Sequence, residues 1–372
     1  MTYARRTMTA AAVTGALVLS GCGMVSGAGT SLRADSDHAK QALSSAKAVS
    51  VTIRFTDPDG NLKKALGTGH QPATPAQADA LVGASLTMTV SANNGRTVSS
   101  PVPPGLATAQ QIRQSNVDLT VRGAGGRLAE LRLVDGTLYA ATDIAAVKRA
   151  ADLASPGSSA KVDDFFASAP PALRRGADDL KAGKWLKLPL ATYLDTFLKL
   201  AKDSGAGGVD PRAAGQYGAL VQQLRGAIRP HVGLRDLGAG GSTRHVSVDI
   251  QVKDAVVAGL AVLRANAARL GIRVGAVPSA DKLDGLSSKT LSATLTIKNG
   301  HYTELSVPLS GLAALDAHPS EPIPPLGRSA VSVELDDRAG AVVAPTDVST
   351  FDVGTLINPL LAGLAGHGAT RG

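Results

Sequence analysis

The sulfur of Cys22 has the most definite chemistry in this chain, because it is the lone cysteine among 372 residues. A single thiol rules out an intramolecular disulfide framework and a cysteine-based zinc site. The covalent chemistry left to it joins the chain to something else. Hydroxyl nucleophiles come next. Ser44-Ser45-Ala46-Lys47, Ser158-Ser159-Ala160-Lys161 and Ser279-Ala280-Asp281-Lys282 each hold a serine at Ser-x-x-Lys spacing, where an amine can take a hydroxyl proton. Three copies in a chain rich in Ser, Ala and Lys read as chance, and neither the Ser-Asp-Asn nor the Lys-Thr-Gly companion is present. Gly-x-Ser-x-Gly elbows, His-Glu-x-x-His helices and Gly-Lys-Ser/Thr phosphate loops are missing too. His38, His70, His231, His245, His301, His318 and His367 stand singly, without metal-ligand spacing. Asp178-Asp179 and Asp336-Asp337 are adjacent pairs whose side chains diverge on either a helix or a strand, and they read as solvated loop or turn charges. No catalysis, metal or cofactor is expected.

The surroundings of Cys22 say what its sulfur is for. Arg5 and Arg6 make a positive start, residues 10–20 an apolar run, and Leu19-Ser20-Gly21 lead into the cysteine, as a cleaved export signal requires. The run is about half of the roughly 20 residues that a membrane-spanning helix needs. The pattern resembles the lipobox cut by the lipoprotein signal peptidase, which implies cleavage after residue 21 and a diacylglyceryl group on Cys22. At about 0.8 kcal/mol per buried methylene, two or three acyl chains hold a protein on a bilayer where one does not. The hydrophobic residues after Arg5-Arg6 are weak for a twin-arginine signal, so the general secretory route is expected. The expected organisation is a signal peptide over 1–21, a tether over 22–35, one domain over 36–350 and a tail over 351–372.

Loss of Arg5 and Arg6 with the signal lowers the formal charge from +8 to +6. A basic, membrane-tethered surface favours anionic headgroups within a Debye length, although no block of five or six like charges appears. Nucleic acid is excluded as a partner. An exported chain does not meet it, and aromatic residues, the platforms for base stacking, are only 3% of this one.

Hydrophobic residues at 44% allow a sizeable core. Val49, Val51, Ile53 and Phe55 alternate with Ser50, Thr52 and Arg54, which marks a strand with one buried and one wet face. The same alternation returns at Leu86-Met88-Val90, Val117-Leu119-Val121, Ala129-Leu131-Leu133, Val246-Val248-Ile250-Val252, Leu291-Ala293-Leu295-Ile297, Leu305-Val307-Leu309 and Val331-Val333-Leu335. Parallel strands buried on both faces would read as unbroken apolar runs, so a large antiparallel sheet is expected. Asp135-Gly136 and Asn299-Gly300 sit between strands and suit the positive φ of tight primed turns. Helices are expected over Ser36–Ala48, Asp143–Ala151, Leu190–Lys202, Pro211–Ile228 and Ala255–Leu270, the last with Asp254 as its N-cap. The fold class is α+β.

The hairpin Leu131-Arg132-Leu133-Val134-Asp135-Gly136-Thr137-Leu138-Tyr139, a helical segment and then Gly183-Lys184-Trp185-Leu186-Lys187-Leu188 resemble the actinobacterial LppX/LprAFG lipoproteins and their relatives with the LolA-like fold. The late hairpin Leu291 to Leu309 is similar to the paired strands that close those sheets. The resemblance implies a large curved antiparallel half-barrel with helices covering its concave face. It further implies an apolar cavity for acyl chains of a lipid or lipoglycan, carried or presented at the cell envelope. Geometry then suggests which side chains face inward. Ile144 and Val147, Leu194, Phe197 and Leu198, and Val256, Leu260 and Leu263 lie on helix faces; Val51, Ile53, Val248 and Ile250 lie on strands. Each is either a cavity residue or plain core. Trp185, the single tryptophan, either stands at a pocket mouth with its indole N–H toward water or a headgroup, or plugs a sheet edge. The expected partners are the lipid, the cytoplasmic membrane through acylated Cys22, and a membrane transporter. The alternative is a non-catalytic binding or sensory module of a membrane complex.

Overall fold

A computed structural model of the chain describes residues 30–350, apart from 69–71, 94, 100–112, 170, 191–212, 268–274, 276, 280–282 and 317–323. Its strands are β1 (Ala48–Thr56), β2 (Ser85–Ala92), β3 (Ser115–Gly123), β4 (Gly126–Val134), β5 (Thr137–Thr142), β6 (Trp185–Leu188), β7 (Val232–Gly240), β8 (Thr243–Gln251), β9 (Thr290–Lys298), β10 (His301–Pro308), β11 (Ala330–Asp336) and β12 (Val348–Thr350). They follow the order β12-β6-β5-β4-β3-β2-β1-β11-β10-β9-β8-β7, and the sheet is not closed. β12 joins β6 in parallel; β2 through β6 and β7 through β11 pair antiparallel with their neighbours. The class is α+β with a large, mostly antiparallel sheet, as the alternation predicts.

Both predicted hairpins form. Asp135 and Gly136 have φ of 50° and 76°, and Asn299 and Gly300 have 52° and 73°. Positive φ at both central residues is what a primed turn demands, and Asp-Gly and Asn-Gly meet it at little steric cost.

The chain divides into two compact units: Met1–Ser45, Val51–Ala78 and Arg212–Asp337 form the first, and Ala46–Ser50, Asp79–Pro211 and Arg338–Gly372 the second. In the first unit, helix α1 (Thr30–Ser45) starts earlier than the sequence suggests. The cause is Leu32, which packs into a core with Ala39, Val246, Ile297 and Tyr302. Polar contacts fix the helix in register: Ser36 Oγ lies 2.7 Å from Tyr302 Oη, and Arg244 Nε donates to Asp35 at 2.6 Å. The stretch from Asp57 to Ala84 holds two short helices, α2 (Asn61–Leu66) and α3 (Pro75–Val82). Asp57 anchors α2 by accepting the Leu62 and Lys63 N–H groups at 3.0 Å each and the Ser329 hydroxyl at 2.7 Å. Burial pushes its carboxyl up, but these donors outweigh burial and hold it below the usual carboxylate range.

The second unit carries α4 (Ile144–Ala154), α5 (Ser159–Ala167) and α6 (Pro171–Lys181) between β5 and β6. Asp143 caps α4 by accepting the Ala146 N–H at 3.0 Å. The first unit also holds α7 (Ala213–Ile228), α8 (Val252–Asn266) and α9 (Leu309–Ala313). Gly259 of α8 faces Leu224 and Ile228 of α7. Helix α8 begins at Val252, ahead of the expected Asp254 cap.

Candidate functional site

Strand pairing in the second unit assembles one continuous apolar face. Leu86, Met88 and Val90 of β2 stand opposite Val121, Leu119 and Val117 of β3. Val117, Leu119 and Val121 in turn face Leu133, Leu131 and Ala129 of β4, and Leu131 and Leu133 face Ala140 and Leu138 of β5. Directly paired residues project from the same side of a sheet, so these side chains form a band four strands wide. Among the described residues, the band is only partly shielded. Leu86 is 38% exposed, Met88 42% and Leu131 42%, where a packed core would leave almost nothing.

The opposite face of the same strands is polar and buried, which reverses the expectation of a buried apolar side and a wet polar one. Ser91, Asn116, Thr120 and Glu130 are all buried. The segment leading into β12 reaches Ser91, Asn116 and Arg132 among these strands. The Val342 N–H donates to Ser91 Oγ at 3.0 Å, Asn116 Nδ2 donates to the Val342 carbonyl at 3.1 Å, and Arg132 Nη1 donates to the Val343 carbonyl at 3.2 Å. Glu130 accepts from Arg127 at 2.5 Å and from Arg132 Nε at 2.8 Å, and Arg132 also reaches Asp118 at 2.9 Å. Burial raises the Glu130 carboxyl, yet the two guanidinium groups overcome it and hold the group below its ordinary value. Asp118 goes the other way: burial, with the Glu130 charge beside it, outweighs Thr120 and Arg132 and raises it.

The residues singled out from sequence fall in both units. Val248 and Ile250 are buried on β8, and Val256, Leu260 and Leu263 are half-buried on α8, all in the first unit. Val51 and Ile53 are half-buried on β1, also in the first unit. Ile144 and Val147 are half-buried on α4 in the second. Trp185, half-buried, packs against Val134, Tyr139 and Val342, and the Arg132 and Arg127 guanidinium groups lie 4.8 and 5.6 Å from its ring centroid. Its register neighbour Lys187 pairs with Tyr139, so the indole belongs to the polar side of the sheet. Cys22, Leu194, Phe197 and Leu198 lie outside the described residues. Leu86, Met88 and Leu131 were readable as strand residues with a common face. Their exposure was not, because alternation marks an apolar face without saying what covers it.

Other chemistry-bearing residues have structural partners. Ser44 Oγ donates to the Gln41 carbonyl. Asp179, expected in a loop, sits on α6 and accepts from Ser349 at 2.5 Å and Lys184 at 3.2 Å. His301 Nδ1 lies 2.8 Å from Asp337 Oδ2. A depression of about 560 Å³ in the first unit is lined by polar groups including Arg235, Asp249 and Gln251. Among the described residues no group of His, Cys, Asp and Glu could hold a metal ion, and no helix is long and apolar enough to cross a membrane.

The site defines an α+β protein whose antiparallel sheet leaves an apolar face open. Among solved structures, the chain is similar to the Mycobacterium tuberculosis lipoprotein LppX, at 10% identity over 85% of this chain and 100% of that one, with a TM-score of 0.28. It is also similar to LprF from Mycobacterium bovis, at 12% identity over 86% and 99%, with a TM-score of 0.29. No family model and no curated protein matches it.

Proposed function

We propose that this chain is an extracytoplasmic lipoprotein, acylated on Cys22 after removal of residues 1–21 and held at the outer face of the cytoplasmic membrane. Residues 36–350 bind the acyl chains of a lipid or lipoglycan and carry or present it at the cell envelope, without catalysis or cofactor. One observation carries this reading: the partly shielded band of Leu86, Met88 and Leu131 on an otherwise apolar sheet face. Exposed apolar area of that kind is costly in water, at about 25 cal/mol per Å², and large exposed patches mark binding surfaces. An acyl chain is a suitable cover, since it supplies methylenes and asks for no hydrogen bonds. Ile144 and Val147, on α4 of the same unit, are proposed as further lining. A membrane transporter is the proposed partner in delivery.

Native mass spectrometry of protein purified from its own membranes tests the proposal. Co-purifying lipid of defined mass is expected, and Leu131→Gln combined with Met88→Gln should lower its recovery several-fold. A clean apo mass would instead favour a binding or sensory module. The anchor has its own test: Cys22→Ser should leave the membrane fraction.

A further inference from the structure

Sulfur is scarce in this chain. Of its four methionines, Met1, Met8 and Met24 precede the described residues, as does Cys22, and Met88 lies among them. Met88 therefore holds the only sulfur of the described residues, and the structure does not hide it. The side chain is 42% exposed, where a methionine used to fill a core would be enclosed. Its place is central. On β2 it stands between Leu86 and Val90 on one face, and across the sheet it begins a row that runs through Leu119 and Leu131 to Ala140. Those five neighbours are plain hydrocarbon. Met88 is the one member of the band with a lone pair that can react.

A thioether open to water has one characteristic reaction, oxidation by two electrons to the sulfoxide. We propose that Met88 is an oxidant-sensitive modification site whose sulfoxide closes the apolar band to acyl chains. The oxidant is a peroxide. A sulfur lone pair attacks one peroxide oxygen, the S–O bond forms as the O–O bond breaks, and the other oxygen of hydrogen peroxide departs as water. Sulfur gives up the two electrons that the peroxide gains. The product sets a polar S=O group into the row with Leu119 and Leu131. An acyl chain has no donor to offer it, so a lipid lying on that row would strand the new acceptor, whereas water satisfies it. Reduction of the sulfoxide restores the apolar side chain. A lipid already in place shields the sulfur, so the loaded chain resists what the empty chain undergoes. The inference rests on the acyl-binding reading of the band, and it adds the condition under which the band stops binding.

The test uses the full acylated chain in two forms, purified with its lipid and stripped of it, each treated with hydrogen peroxide. Mass spectrometry of proteolytic fragments follows the oxygen added at Met88. In the stripped chain Met88 is expected to oxidise within about threefold of the rate of methionine in a short peptide, and in the loaded chain about tenfold more slowly. Reloading of the oxidised chain with lipid extracted from its own membranes, read by native mass spectrometry, should fall about tenfold, the order of one stranded polar group. Methionine sulfoxide reductases should restore it. Met88→Leu removes the sulfur at nearly constant volume and keeps Met24, so after peroxide it should reload like the untreated parent. The thermal midpoint of the stripped chain should hardly move on oxidation, because the side chain is already wet. A midpoint that collapses would mean unfolding and overturns the inference, and so does a stripped chain whose Met88 resists peroxide. The two readings fail separately. An untreated chain that carries no lipid and takes none up refutes acyl binding and the switch with it, whereas a chain that reloads equally before and after oxidation refutes the switch alone.

Discussion

Two stretches of sheet built from the same alternating sequence pattern end in opposite states. In the first unit, Val246, Val248 and Ile250 of β8, Leu291 and Ala293 of β9, and Leu305 and Val307 of β10 are almost wholly shielded, with α1 packed over part of that core. In the second, β2 to β4 carry an equally apolar band that stays open at Leu86, Met88 and Leu131, while their polar side is the buried one. The difference teaches that a strand's pattern chooses which residues share a face, and the rest of the chain chooses which face is covered. Here the 342–343 segment of the second unit bonds to the polar side.

The contrast can be broken most strongly in the covered region. Leu305→Ala should cost about 2–5 kcal/mol of unfolding free energy in urea titration, because the neighbours cannot fully collapse onto the gap. A loss below about 1 kcal/mol would mean that this core is as loose as the open band.

Next comes the buried polar side. Glu130→Gln leaves Arg127 without its anion and Arg132 with Asp118 alone, and should cost about 2–3 kcal/mol near neutral pH, since hydrogen bonds to charged groups are the stronger ones. The sign with pH follows from a carboxyl held below its ordinary value. Its contribution is fully present above the unfolded value of about 4.3 and fades as pH falls through the lower folded value. The gap between parent and variant should therefore narrow in acid. A gap that widens there would contradict the ion-pair assignment.

Asp57→Ala removes the acceptor for two α2 amides and Ser329 and is expected to cost about 1 kcal/mol, read as a lower thermal midpoint. Smallest of all is Leu131→Ala: a side chain that already meets water should cost under about 1 kcal/mol while lipid recovery falls. If Leu131→Ala destabilised as much as Leu305→Ala, the band would be core and the contrast would vanish.

Much of the architecture was legible in local pattern. Eight strands announced themselves by alternation, and two turns did so by Asp-Gly and Asn-Gly, because a hairpin is decided by neighbouring residues. β7 escaped because it is exposed almost throughout and has no face to alternate. β12 escaped because three residues carry no period and its partner, β6, lies far back in the chain. Helices α5 and α6 were not assigned from sequence, because Ser, Pro, Gly and charges break up any apolar period there. The candidate site was half legible. Leu86, Met88 and Leu131 could be assigned a common side from sequence, but the hydrogen bonding of buried Ser91 and Asn116 depends on Val342, whose contacts no local window contains.

That dependence bears on how the molecule is made. The bonds from Val342 to Ser91 and Asn116 close loops of 251 and 226 residues, and pairings so distant in sequence are slow to form. A chain emerging from its N-terminus presents Ser91 and Asn116 long before Val342 follows. The hydroxyl of Ser91 and the amide of Asn116 therefore wait on residues near 342 for these bonds.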